Sequence, residues 1–239
     1  MKKSILGLIA VFFISAAGLY SQDLDEILDN YFEVMGQQKI IDAKSSTTKG
    51  KMVQMGLEIP FNQYSKHPDK FRVEATFQDM TLIQTYNGEE GWNLNPFGGM
   101  TEPQAMGEDE MKAMKVQADY EGMLWNWEEK GYKVSLEENE EVEGSDCYVV
   151  KTISPEGDEY STYLDVDSFV ALKVKSKVML RGQEVESETY MSNYQEGDGY
   201  VYAGKIETRM NGQVASTIVI DEMTLGSEMD DSIFEKPVK

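Results

Sequence analysis

The chain has 239 residues, and 43 acidic side chains against 22 basic ones give it a formal charge of −21. That balance repels phosphate backbones and anionic membrane faces, which excludes nucleic acid as a partner and tight electrostatic docking on an acidic bilayer. A single Cys excludes an internal disulfide, so an exported form must rely on its hydrophobic core.

Lys2 and Lys3 precede an apolar run over residues 5–17, broken only by Gly7 and Ser15. Small residues follow (Ser15, Ala16, Ala17, Gly18), Ser21 suits the position before a cut, and acidic character begins at Asp23. This order predicts a secretory signal peptide over 1–22, cleaved near residue 21 or 22, and one domain over 23–239. No Cys directly follows the run, so the mature chain is expected to be soluble and not acyl-anchored. Loss of the two signal lysines makes it still more acidic.

Residues 23–43 carry acidic side chains in a first turn and Leu24, Ile27, Leu28, Tyr31, Phe32 and Met35 at helical spacing. They predict a helix, weakened at Gly36. From residue 45 the period changes to strands, expected over 46–55, 57–65, 70–77, 80–86 and 91–94 and separated by turn residues such as Asn87-Gly88. A Pro/Gly/Met loop over 95–107 leads to a second helical pattern over 108–127, with a break near Gly122. Strands resume over 132–138, 147–154, 159–164, 169–180, 184–194, 200–210 and 214–224. Asn211-Gly212 is a two-residue hairpin signal. Arg72, two residues from Glu74, is expected to be a solvated strand residue that reaches a carboxylate only across a neighbouring strand.

Groups suited to catalysis are sparse. His67 and Cys147 lack a third partner at a recognisable spacing, and the alternating run Cys147-Tyr148-Val149-Val150 makes Cys147 a small buried residue. Asp165 and Asp167 open like a calcium loop, but the Gly and terminal Glu are missing at the required offsets. Asp230-Asp231 reads as a tail turn. No enzyme, cofactor or metal is expected.

A dozen antiparallel strands must hide one face, and a sheet of that size curls. The helices are the available covers, and a curled sheet beneath them makes an apolar pocket. The 15 methionines suit either a filled core or adaptable contacts to acyl chains.

Two stretches carry a family resemblance. Lys66-His67-Pro68-Asp69-Lys70-Phe71-Arg72 leads to Tyr86-Asn87-Gly88 and Gly91-Trp92-Asn93-Leu94-Asn95-Pro96-Phe97. Tyr163-Leu164-Asp165-Val166-Asp167-Ser168-Phe169 leads to Asn193-Tyr194. The order resembles the LolA/LolB-like periplasmic lipoprotein-carrier superfamily, in the form of the outer-membrane lipoprotein-sorting proteins. The resemblance implies a mostly β fold with a few helices: a curved antiparallel sheet forming an incomplete β-barrel with a helical lid. It further implies a monomeric periplasmic carrier that binds lipoprotein acyl chains or another lipid. Such a carrier moves its cargo from an inner-membrane donor complex toward an outer-membrane acceptor. An envelope sensor or protein-interaction module on the same fold is the alternative. His67 stands where the carriers have an Arg, and Tyr202-Ala203-Gly204 stands where many relatives place a Pro after an aromatic residue. The expected lid residues are Met111, Met114, Met123, Leu124, Trp125 and Trp127. Trp92 and Phe97 are expected at the mouth, and His67 as a pH-dependent latch, each with plain packing or turn formation as the competing role.

Overall fold

The computed structural model describes residues 23–238 except 55 and 181, so the expected signal peptide lies outside the described residues. Asp23 caps helix α1 (Leu24–Met35), its carboxylate accepting from the Glu26 amide at 3.0 Å. Gly36, with φ of 67°, breaks the helical run and starts α2 (Gln37–Ala43). The apolar stripe of α1 turns inward, burying Ile27 and Leu28. Among the described residues no helix is long and apolar enough to cross a membrane.

Among the described residues thirteen strands follow in one antiparallel sheet. They are β1 (Ser45–Gln54), β2 (Leu57–Lys66), β3 (Lys70–Phe77), β4 (Met80–Tyr86), β5 (Gly91–Leu94), β6 (Gln104–Ala105), β7 (Lys133–Val142), β8 (Ser145–Ile153), β9 (Glu159–Asp165), β10 (Ala171–Leu180), β11 (Gln183–Glu196), β12 (Val201–Met210) and β13 (Gln213–Leu225). The strands β1 to β6 meander away from β1, while β7 to β13 meander back toward it. Pairing of β1 with β13 joins the two arms, and β6 and β7 remain as the unpaired edges. The sheet is curved and does not close, an open half-barrel as the resemblance implied.

Curvature has local causes. The β1–β13 register slips between Lys49 and Gly50, and bulges of this kind bend a sheet. A Cβ at Gly50 would lie 2.2 Å from the Val219 carbonyl oxygen, so only glycine permits this approach. Further register shifts fall in the β7–β8, β9–β10 and β12–β13 pairs. The β12–β13 turn is Asn211-Gly212, with φ of 51° and 75°, the left-handed pair that a tight hairpin requires.

The chain must travel from edge β6 to edge β7, and this forces a segment across the inner face. It consists of α3 (Glu108–Ala118) followed by turns through residue 132. The expected second helix after Gly122 does not form. Gly122, Asn126 and Gly131 all take positive φ, which no continuous helix accommodates. The apolar spacing of Met123, Leu124 and Trp127 instead serves a run of turns packed on a core.

The outer face is covered differently. After β13 the chain crosses β2 to β4, burying Phe234 fully. Thr85 Oγ1 donates to the Phe234 carbonyl at 2.9 Å, and Arg72 Nη1 donates to that of Ile233 at 2.8 Å. Arg72 also donates to Glu74 Oε1 at 2.7 Å. This corrects the sequence expectation in two respects. The guanidinium is long enough to reach i+2 along its own strand, and the tail shields it from solvent.

Candidate functional site

The strand register fixes which side chains share the inner face. Phe71 packs against Met114 of α3, together with Tyr86 and Ala118, and marks that face on β3. On β2 that face runs from Ser65, opposite Phe71, to Ile59 six residues away; Ile59 pairs with Met52, Met52 with Ile218, and Ile218 with Ile206. Side chains directly opposite one another point the same way, so these four form one apolar row across β2, β1, β13 and β12. The row continues into Met191 of β11, which packs under α1.

Cover along this face is uneven. At one side α3 seals Phe71 and Tyr86 with Met114 and Ala118. At the other, α1 and the turns at 123–127 seal Val150, Leu164 and Ala171 with Ile27, Leu28 and Leu124. Between them Met52, Ile59, Ile206 and Ile218 are only half-buried. The result is an apolar trough, floored by aliphatic side chains and flanked by two helical covers.

The α3 crossing is held at its end by polar contacts. His67 Nε2 lies 3.2 Å from Glu121 Oε1, and the Tyr120 amide donates to the Pro68 carbonyl at 3.1 Å. Gln37 Nε2 donates to the Glu121 carbonyl at 2.7 Å, tying the same point to α2. Tyr120 donates its hydroxyl to the Ile40 carbonyl at 3.1 Å, and burial pushes that hydroxyl up to about 12, so it stays a neutral donor. Lys130 bridges Asp119 at 2.8 Å and Glu121 at 3.5 Å, and Lys112 reaches Asp158 at 2.7 Å. Of these, His67, Lys112, Asp119, Glu121, Lys130 and Asp158 line a cleft of about 1050 Å³ beside α3, with Met111 and Tyr86 as apolar wall. The lysines named are neutralised by carboxylates, and the cleft brings together no nucleophile, base and orienting group.

The expected site residues divide into three groups. Met111 and Met114 lie on α3 over β3 and β4, and Met123, Leu124 and Trp127 join the core under α1. Trp125 packs edge-on against Phe32 of α1, with ring centroids 5.0 Å apart. The expected lid stripe is therefore one crossing segment that rests on both arms of the sheet. Trp92 sits elsewhere. It pairs with Thr85, which bonds the tail, so it is buried on the outer face and away from the trough. Phe97 follows β5 in an exposed turn beside Phe77, 6.5 Å between ring centroids. His67 meets the crossing segment at Glu121. Cys147 is fully buried with Val142, Val149 and Tyr163, and burial raises its thiol above the ordinary value. The floor residues Met52, Ile59, Ile206 and Ile218 were missing from the sequence reading. Strand alternation places each on a face, but only the pairing of β1 with β13 puts them side by side.

Solved structures share this architecture. A DUF1329 family protein from Desulfovibrio piger matches with a TM-score of 0.59 and 15% identity, over 87% of this chain and 97% of that one. A LolA superfamily protein from Nitrosomonas europaea matches at 0.57 and 15%, over 84% and 97%. An outer-membrane lipoprotein-sorting protein domain from Vibrio parahaemolyticus matches at 0.56 and 13%, over 86% and 97%. A comparison with curated proteins gave no match. Residues 74–238 match the model of a family described as "uncharacterized protein". The chain belongs to that family, and its fold is the open half-barrel it shares with LolA-superfamily and lipoprotein-sorting proteins.

Proposed function

We propose that the protein is a non-enzymatic carrier that holds the acyl chains of a lipid or lipoprotein in the trough. It would be exported through residues 1–22 and act in the periplasm, taking cargo from the inner membrane toward the outer. The observation that carries this reading is the row Ile59, Met52, Ile218 and Ile206, aliphatic and yet only half-buried on the helix-bearing face. An acyl chain laid along it gains about 0.8 kcal/mol for each methylene removed from water. The crossing segment, hinged at the glycines and latched through Glu121, is the lid. Its apolar contacts compete with cargo, which keeps binding reversible.

Native mass spectrometry with organic extraction, on the mature protein purified gently from its own envelope, tests this. Near-stoichiometric lipid or acylated peptide is the expected result. A bare protein mass, together with no uptake of a fluorescent fatty acid, would sink the carrier reading in favour of a protein-interaction role.

A further inference from the structure

Hairpin turns in water usually carry polar residues. At one end of this sheet the described turn residues are polar or glycine, but the strand ends beside them expose large apolar side chains. Four hairpins stand side by side there, β3–β4, β1–β2, β12–β13 and β10–β11, with the turn after β5 at one flank and the acidic β8–β9 turn, Glu156 and Asp158, at the other. Their tips expose Met80, Leu57, Met210 with Val214, and Met179 with Leu180, and Phe97 extends the series. Leu57 and Met179 are 50% exposed and Val214 is 56% exposed. Elsewhere among the described residues, only Val34 and Val238 are comparably exposed large apolar side chains.

Charge follows the same division. The chain as a whole is strongly acidic, yet Asp79 is the one charged residue among the described tip residues at 56–57, 78–80, 179–180, 182–183 and 210–214. From β4 to β10 the tips span eight neighbouring strands, an arc of about 34 Å at the usual strand spacing.

We propose that this rim docks the protein shallowly on the surface of a lipid bilayer with net-neutral headgroups. Scattered anchors, one or two per tip along a long arc, suit a fluid interface, which closes around each of them. A protein partner would call for a packed central cluster. The acidic body keeps the molecule off anionic surfaces, so a rim with few charges selects a neutral one. The rim is also continuous with the trough: Leu57 is two residues from Ile59 on β2, and Val214 four from Ile218 on β13. Docking rests on exposure and charge alone and stands whether or not the trough carries lipid.

The test is flotation of the mature protein with phosphatidylcholine vesicles. The wild type is expected to float with the vesicles, to resist added salt, and to bind less when phosphatidylglycerol is mixed in. Combined Leu57→Asn, Met179→Asn and Val214→Asn replacements should weaken vesicle binding at least about tenfold and leave fatty-acid uptake unchanged. If that variant fails to fold, a polarity-sensitive dye on Leu57→Cys should shift to the blue on vesicle addition. Absence of flotation by the wild type, undiminished flotation by the variant, or a rim-dependent dimer in place of vesicle binding would each overturn the proposal.

Discussion

Two parts of one sheet face carry the same kind of residue and meet different fates. Under α3, Phe71 and Tyr86 are sealed by Met114 and Ala118. A few strands away, Ile59, Met52, Ile218 and Ile206 lie on the same face and stay half-open. The covers have finite length. The crossing segment must reach from β6 to β7, and it rests on the two arms of the sheet; the β1–β13 seam is buried at Ser46 and Thr48 and half-open only around Met52 and Ile218. Burial at the arms is spent on stability, whereas the seam keeps apolar surface available for something else.

Truncation in the two regions separates these roles most strongly. Phe71→Ala should cost about 3–5 kcal/mol of unfolding free energy by denaturant titration, because it opens a cavity in a sealed cluster. Ile218→Ala should cost less than about 1.5 kcal/mol, since its surroundings are already partly solvent. Equal losses at both sites would erase the distinction.

Binding should show the opposite order. Ile206→Asn places an amide in the trough floor and should lower fatty-acid affinity at least about tenfold, with little change in the denaturation midpoint. Met114→Leu, a volume-conserving change under α3, should leave affinity within about threefold of wild type.

The latch sharpens the comparison more gently. Glu121→Gln weakens the contacts to His67 and Lys130, which are part-exposed and worth no more than about 1 kcal/mol. Amide exchange in α3 should quicken, while that of β8 and β9 stays at the wild-type rate. The smallest effect concerns the outer cover. Hydrogen bonds from Lys66 and Lys70 lower the Asp231 carboxyl from 3.8 to about 2. A depressed folded-state pKa contributes stability that is present above the unfolded value and lost as pH falls through the folded one. Exchange protection of the tail at 230–234 should therefore fade between about pH 4 and pH 2 and stay flat above that window.

Most of the strand pattern was legible because alternation and turn residues are local signals. Asn211-Gly212 and Asn87-Gly88 marked their turns, and Gly36 marked its helix break. The two-residue strand β6 fell inside a predicted loop, too short to show a period. The helical pattern expected to continue to residue 127 gives way to turns after Ala118, because Met123, Leu124 and Trp127 keep helical spacing while Gly122 and Asn126 set the backbone. His67 suggests a latch because an imidazole changes charge near neutrality, but its contact Glu121 is 54 residues away and no spacing rule supplies it. Trp92 was assigned to the mouth as an aromatic near a hairpin. Its partner Thr85 and the distant Phe234 put it on the other face. The trough depends on strands from opposite ends of the chain, and a single sequence does not reveal that pairing.

The central claim is that acyl chains occupy the seam, and isoleucine methyl NMR of the mature protein with a long-chain fatty acid tests it most directly. The account predicts shift changes and ligand contacts at Ile59, Ile206 and Ile218, with Ile27, on the buried face of α1, unperturbed. Saturable binding that leaves those three methyls unmoved, or moves Ile27 instead, would contradict it.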